Sequence, residues 1–418
     1  MDKKFLLSSI IVMATLASIR LFACTGALAL GLPSAEGNLI LGNFDSEVPV
    51  NINYMTMHLV IPEDKNAFRY LKMNQGNSNF MGGGHLNEKG VGFKSYQRDS
   101  KNLIKLEKDQ IPTTDDVFLT CVSAKQLLDR VSKVYSKIGT TLAVGGNAVL
   151  MVDPKEGYML EGANYISKTE HNHASYGPMK DVVFVHANFY LDRTLREHQL
   201  GSGAGYSRAK ALWQHLIENQ YNDFNLNPPA GSGLVLPYIM DVLKYHDKNN
   251  SMLNNERHAM YTVNNNTSIN CQGNYVQTYH GLIINPSAKN TKYLSTFWAT
   301  FGQPDIAPFL PFFIGVNEIP KEYSTTVASG KYFELRTLLL YNPEYREKIV
   351  HYWKVFEVET VEKYRAVRNE VTTMLKDKND KETDIAVRKK LTDFVNERCA
   401  KAMKYLDKTI NRLKRLNS

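Results

Sequence analysis

A basic start at Lys3-Lys4, an apolar run over Phe5–Ile19 and the stretch Leu21-Phe22-Ala23 precede Cys24, and this order constrains the chain more than any other feature. Residues 1–23 read as a secretory leader, removed after Ala23, so that the folded chain starts with a cysteine. The run is too short and wrongly flanked for a membrane span, and no later window offers about 18 consecutive apolar residues. The expected product is exported, periplasmic or secreted, with no stable membrane span. Export to an oxidising compartment draws attention to Cys24, Cys121, Cys271 and Cys399. Four cysteines in 418 residues are not a disulfide scaffold, and a Cys121–Cys271 pairing stays open.

A chain that begins with cysteine carries a thiol and a free α-amine on one residue. Their ordinary pKa values are near 8.5 and near 8. The amine can take the thiol's proton at neutral pH and later pass it to a leaving amine, so the nucleophile brings its own base. A second reading excludes the first. Leu21-Phe22-Ala23-Cys24 also resembles the box in which a lipoprotein cysteine is lipidated, although Phe22 fits it poorly. Lipidation would consume both the sulfur and the amine.

Composition narrows the classes further. With 43% hydrophobic and 22% charged residues the chain is globular rather than disordered or low-complexity. Of the net charge of +8, the leader holds about +2 and residues 321–418 about +7, leaving the body close to neutral. A neutral body argues against a nucleic-acid groove.

Cys24-Thr25-Gly26-Ala27-Leu28-Ala29-Leu30 alternates apolar with small residues, as strands do. Gly31–Gly37 supplies turn residues, and Asn38–Asp45 reads as the returning strand. The hairpin brings Asn43–Asp45 back beside Cys24. This stretch resembles the cysteine-type N-terminal-nucleophile amidohydrolases, a group that includes bile-salt and penicillin V hydrolases, penicillin acyltransferases and a dipeptidase branch. They begin Cys-Thr and carry Asn-x-Asp on the second strand, here Asn43-Phe44-Asp45. They usually have Arg three residues before that Asp, where this chain has Gly42.

Further landmarks follow in order. Asn87-Glu88-Lys89-Gly90-Val91 resembles the family's strand entry, which would place Ser95–Gln97 by the active site. Asp181–Leu191 contains His186-Ala187-Asn188, and the resemblance gives Asn188 the role of side-chain donor to the oxyanion. Such a donor must sit about 3 Å from the developing charge. Ser207-Arg208 opens a helix and makes Arg208 the active-site arginine by resemblance. Thr267–Gly273 and Phe297–Pro304, followed by Ile306–Pro311, resemble later strands, and Trp-x-x-x-Gly-x-Pro looks most like the dipeptidase branch.

The resemblance implies a mixed α+β fold, a four-layer αββα sandwich of N-terminal-nucleophile (Ntn) hydrolase type with a C-terminal helical extension. The expected division is leader 1–23, catalytic domain 24–325 and extension 326–418. Strand-like runs (Val117–Val122, Leu142–Val152, Val182–Phe189, Tyr279–Ile284) alternate with helix-like ones (Ala124–Ile138, Arg208–Glu218, Gly233–His246). Beyond Tyr332, the stripe Tyr364, Val367, Val371, Met374 and the stripe Leu391, Val395, Ala402, Leu406, Ile410, Leu413 read as an αα-hairpin packed on the body, with a basic membrane-surface helix over Arg398–Arg415 as the alternative.

His171-x-His173 lacks a third ligand at a telling spacing, so neither metal nor cofactor is expected. The functional expectation is an exported amidohydrolase acting on a small-molecule amide or dipeptide. Cys24 is the nucleophile, Asn188 serves the oxyanion, and Asp45 and Arg208 position the reacting groups. The alternative is a lipid-anchored or secreted binding protein of the same fold without activity. No nucleic-acid partner is expected, and a homo-oligomer stays open.

Overall fold

The computed structural model describes residues 22–47, 55–75, 84–96, 117–138, 148–162, 173–187, 191, 193, 206–217, 234–245, 276–376 and 380–417. Its first two strands, β1 (Phe22–Ala29) and β2 (Leu39–Glu47), form the expected antiparallel hairpin, with Cys24 opposite Phe44 and Gly26 opposite Gly42. The strand starts at Phe22, two residues ahead of Cys24, and sets Ala23 opposite Asp45.

Thirteen strands in the described residues make two antiparallel sheets. They include β3 (Met55–Val60), β4 (Tyr70–Gln75), β5 (Gly84–Asn87), β6 (Gly92–Tyr96), β7 (Ala148–Val152), β8 (Gly157–Gly162) and β9 (His173–Met179). These seven pair in chain order to form one sheet. The other sheet runs β10-β1-β2-β11-β12-β13, where β10 is Val183–His186, β11 Val276–Asn285, β12 Thr296–Ala299 and β13 Leu310–Phe313. The β5–β6 turn is the Asn87–Val91 motif. Asn87 Oδ1 accepts from the Lys89 and Val91 amides at 3.0 Å, and Gly90 takes φ +77°, which an L side chain resists.

The sheets pack face to face. Ile284 of β11 lies against Gly84 and Gly92, whose lack of Cβ makes room for it. Leu28 of β1 lies against Gly157. Alternation then sets Cys24, Gly26 and Leu28 into the inter-sheet layer, and Thr25 and Ala27 onto the opposite face. Helix α1 (Ala124–Ile138) covers the outside of the seven-stranded sheet at β7–β9. Ser123 caps it by accepting from the Gln126 amide at 3.1 Å, and Leu127, Leu128 and Val131 are its buried face. Helices α2 (Tyr206–Ile217) and α3 (Leu236–Lys244) cover the outside of the six-stranded sheet at β10, β1 and β2. The order helix, sheet, sheet, helix is the expected α+β architecture.

One expected strand is not a strand. Val117–Val122 forms a helical turn instead, with Val117, Phe118 and Cys121 buried under α1. Spacing of i, i+1, i+4 suits a turn of helix and not an alternating strand. Cys121 is a free thiol there, its Sγ donating to the Val117 carbonyl at 3.1 Å, and burial pushes it up to about 11. Cys271 and Thr267–Gly273 lie outside the described residues.

The C-terminal part is helical: α4 (Val327–Tyr341), α5 (Arg346–Met374) and α6 (Lys381–Leu416). Asp380 caps α6 through the Thr383 amide at 2.8 Å, and Lys414 and Arg415 sit in its last turn where cations suit the dipole. The α6 stripe from Leu391 to Leu413 is buried against the body, as expected of an αα-hairpin. Arg398, named in the membrane-surface alternative, is fully buried over the Phe356 ring, 4.4 Å from its centroid, and donates to Thr360 and Glu359. No described helix is long and apolar enough to cross a membrane.

Hydrogen bonds from Lys401 foremost, then from Arg398, hold the Glu359 carboxyl down at about 2. A depressed carboxyl pKa stabilises the fold above the unfolded value and ceases to do so as pH falls through the folded one. Glu359→Gln is therefore expected to lower the urea midpoint at pH 7, with the gap to wild type closing as pH drops from about 4.5 toward 2. A gap constant across that window would contradict the assignment.

Candidate active site

Cys24 is fully buried in β1, and its neighbours divide by face. On the helix face, Thr25 pairs with Asn43 in register. Arg208, in the first turn of α2, is buried and donates from Nε to Thr25 Oγ1 at 3.1 Å. Asn43 Nδ2 donates to the Leu243 carbonyl at the end of α3, at 2.8 Å. The sequence-named Arg208 and Asn43 are thus brought to Thr25, the residue beside Cys24, by helices docked on β1 and β2. Asp45 has its backbone one step beyond Phe44, paired with Ala23 on one side and Thr278 on the other. Its side chain lies outside the described residues, as do Asn188, Gln97 and His171. Ser95 is buried in β6 opposite Val149.

On the inter-sheet face, two polar side chains beside the β1–β2 hairpin emerge that sequence reasoning missed. His280 of β11 pairs with Phe44, which pairs with Cys24, so the three share one row across the sheet. A bulge between Thr278 and His280 sets this register. The His280 ring is fully buried and stacks on Phe44 at 5.2 Å, and neither ring nitrogen has a hydrogen-bond partner among the described residues. Burial first, and the Lys94 charge second, keep its pKa well below the ordinary range, so the ring is uncharged. It stands two strands from Cys24, about 10 Å at 4.7–4.9 Å per strand, with Phe44 between. That separation is too long for a cysteine–histidine hydrogen bond, so His280 is not the base for Cys24.

Lys94 of β6 is the second. It is fully buried, and its Cε lies 2.9 Å from where a Cβ on Gly42 would stand. That same Cβ would fall 2.4 Å from the Thr25 carbonyl oxygen and 2.8 Å from Gly26 Cα. The β1 backbone cannot yield as a side-chain tip can, so position 42 admits no side chain here. Gly42→Ala is expected to destabilise by at least about 1–3 kcal/mol, read from the denaturant midpoint; a midpoint equal to wild type would contradict the close approach. The sequence signal for Lys94 was present but weak: Val91 and Phe93 mark one apolar face of β6, and alternation puts Lys94 on the other.

The described residues contain no group of three or more His, Cys, Asp or Glu side chains arranged to hold a metal ion. No family model matches the chain, and no curated protein is similar to it in sequence. Among solved structures, it is similar to a mutant conjugated bile acid hydrolase from Clostridium perfringens, at 12% identity and a TM-score of 0.33, over 70% of this chain and 92% of that one.

Proposed function

We propose that this chain is an exported amidohydrolase of the N-terminal-nucleophile type. It cleaves a linear amide, a dipeptide or an N-acyl amino acid, through a thioester on Cys24. The observation that supports it most is the register at the start of β1. Phe22 and Ala23 occupy the ladder positions opposite Ser46 and Asp45. Cutting after Ala23 vacates both and leaves the new α-amine on Cys24, one step from Asp45 on the neighbouring strand. An ammonium there gains a carboxylate-bearing neighbour.

The chemistry then runs on the chain's own groups. The α-amine takes the Sγ proton as the sulfur attacks the amide carbonyl. The tetrahedral oxyanion needs fixed donors, and Asn188 is assigned that part. In sequence it comes two residues after His186, the partner of Gly26 and the last residue of β10, and β10 runs toward the Cys24 end of β1. Loss of one oxyanion donor costs about 10²–10³ in rate, so Asn188→Ala is expected to lower kcat by that factor with a smaller change in KM; unchanged kcat would remove Asn188 from the mechanism. The ammonium returns its proton to the leaving amine, and water hydrolyses the thioester. Arg208, tied to Thr25, positions the strand carrying the nucleophile.

The test is the intact mass of the exported protein together with turnover of a panel of dipeptides and acyl amides. The expected result is a mature chain with a free Cys24 at its start and turnover of at least one amide. A diacylglyceryl mass on Cys24 would replace this reading with that of a lipid-anchored binding protein.

A further inference from the structure

We propose that Lys94 supplies the cation that holds the Cys24 sulfur as a thiolate, in place of any side chain at position 42. The inference rests on the reading of Cys24 as nucleophile for its purpose, but its geometry stands apart from turnover. Cys24 and Gly42 lie on the same face of the β1–β2 hairpin, one diagonal apart. Diagonal Cβ positions are about 7–8 Å from one another or somewhat less, within reach of a long side chain. The Lys94 Cε fills the space against Gly42, and its ammonium is one bond further on. The lysine thus crosses the inter-sheet layer from β6 and ends beside the hairpin carrying the thiol. Gly42 makes that crossing possible by having no side chain of its own.

The surroundings favour this division of labour. Among the described residues, the titratable groups turned by register into the same layer include Lys94 of β6, His280 of β11, His186 of β10, Glu161 of β8 and Tyr176 of β9. Glu161 already accepts from the Tyr176 hydroxyl at 2.7 Å and the Leu191 amide at 3.0 Å. His280 is uncharged, with Phe44 between it and the sulfur. Among the described residues of the second sheet, Lys94 is therefore a positive charge that reaches the hairpin carrying Cys24. An opposite charge within about 4–6 Å lowers an acid's pKa by 1–3 units. The step involves no covalent change at Lys94: the thiol proton moves to the Cys24 α-amine, and the ammonium stays charged throughout.

The test titrates the Cys24 thiol by its ¹³Cβ shift in chains beginning at Cys24, in a Cys271→Ser background. Lys94→Met is expected to raise the Cys24 midpoint by at least about one unit and to slow iodoacetamide alkylation at pH 7 about tenfold. Lys94→Arg is expected to keep the midpoint within half of that shift. In the wild-type chain, where no folding question arises, the Lys94 ¹³Cε resonance is expected to move with the Cys24 midpoint. A Cys24 midpoint unchanged in Lys94→Met, or a Lys94 resonance indifferent to the Cys24 titration, would overturn the proposal and leave the amidase reading standing. A depressed midpoint that depends on Lys94, in a chain that turns over no amide, would uphold it and sink the amidase reading instead.

Discussion

Cys24→Ala, in a chain otherwise processed normally, is expected to lose amide turnover by a factor of about 10⁶, the loss seen when a covalent nucleophile is removed from a machinery that acts as a unit. The size follows from the double duty of the residue. In the proposed mechanism the substitution removes the sulfur that would form the thioester and leaves the α-amine with no proton to take. Cys121 and Cys399 cannot substitute: both are buried thiols with pKa values raised by burial, Cys121 beneath α1 and Cys399 within α6. Steady-state kinetics on whichever amide the wild-type chain hydrolyses fastest provides the measurement. A variant retaining more than about a hundredth of wild-type kcat/KM would require another nucleophile.

The second large effect concerns stability. Glu357 of α5 is buried, paired with Lys244 of α3, and accepts from the Phe309 amide at 2.8 Å. Lys244 follows Leu243, the carbonyl that holds Asn43, so this pair ties the C-terminal helices to the hairpin of the candidate site. Removing one member of a buried pair strands the other's charge and costs about 3–5 kcal/mol, whereas replacing both by apolar residues of similar volume is often neutral. Lys244→Met is therefore expected to lower the unfolding free energy at pH 8 by about that amount, and Lys244→Met/Glu357→Leu to recover most of it.

The pH dependence has a definite sign. Burial, opposed by Lys244, pushes the Glu357 carboxyl up to about 7 from an ordinary value of 4.5. Between those values the folded chain keeps a proton that the unfolded chain has lost. The contribution of this group to stability therefore falls as pH rises through the window. Urea unfolding at pH 5 and pH 8 reads both effects, with Glu357→Gln expected to flatten the difference. A double variant no more stable than Lys244→Met would show that the loss was one of packing and not of a stranded charge.

How much was legible in the sequence varies with how local the signal was. The β1–β2 hairpin was read because its alternation and turn glycines are contiguous. The α5–α6 hairpin was read because its apolar stripes repeat over many turns. The strands β3, β4 and β9 were not read. Tyr70-Leu-Lys-Met-Asn-Gln and His173-Ala-Ser-Tyr-Gly-Pro-Met mix polar and breaker residues, and their pairing comes from neighbours in the sheet. Lys94 was passed over because a lysine alternating with Val91 and Phe93 ordinarily marks a solvated sheet face. Here both faces of the sheet are covered, and the polar side of β6 is the interior of the sandwich. His280 depended on a bulge, and no sequence pattern announces one. Gly42, which looked like a missing arginine, is explained by what lies across from it: the backbone of β1 on one side and the stem of Lys94 on the other.

Two chains differing by a single residue probe the proposed chemistry most directly, one beginning at Cys24 and one at Ala23. They share every side chain of the site and differ only in whether the nitrogen on Cys24 is an amine or a peptide amide, which has no basic lone pair. Turnover by the Cys24-first chain, with its Ala23-first counterpart inactive yet equally stable to urea, is the predicted result. Equal turnover by both would contradict it, because the proton would then be moving by some route other than the chain end.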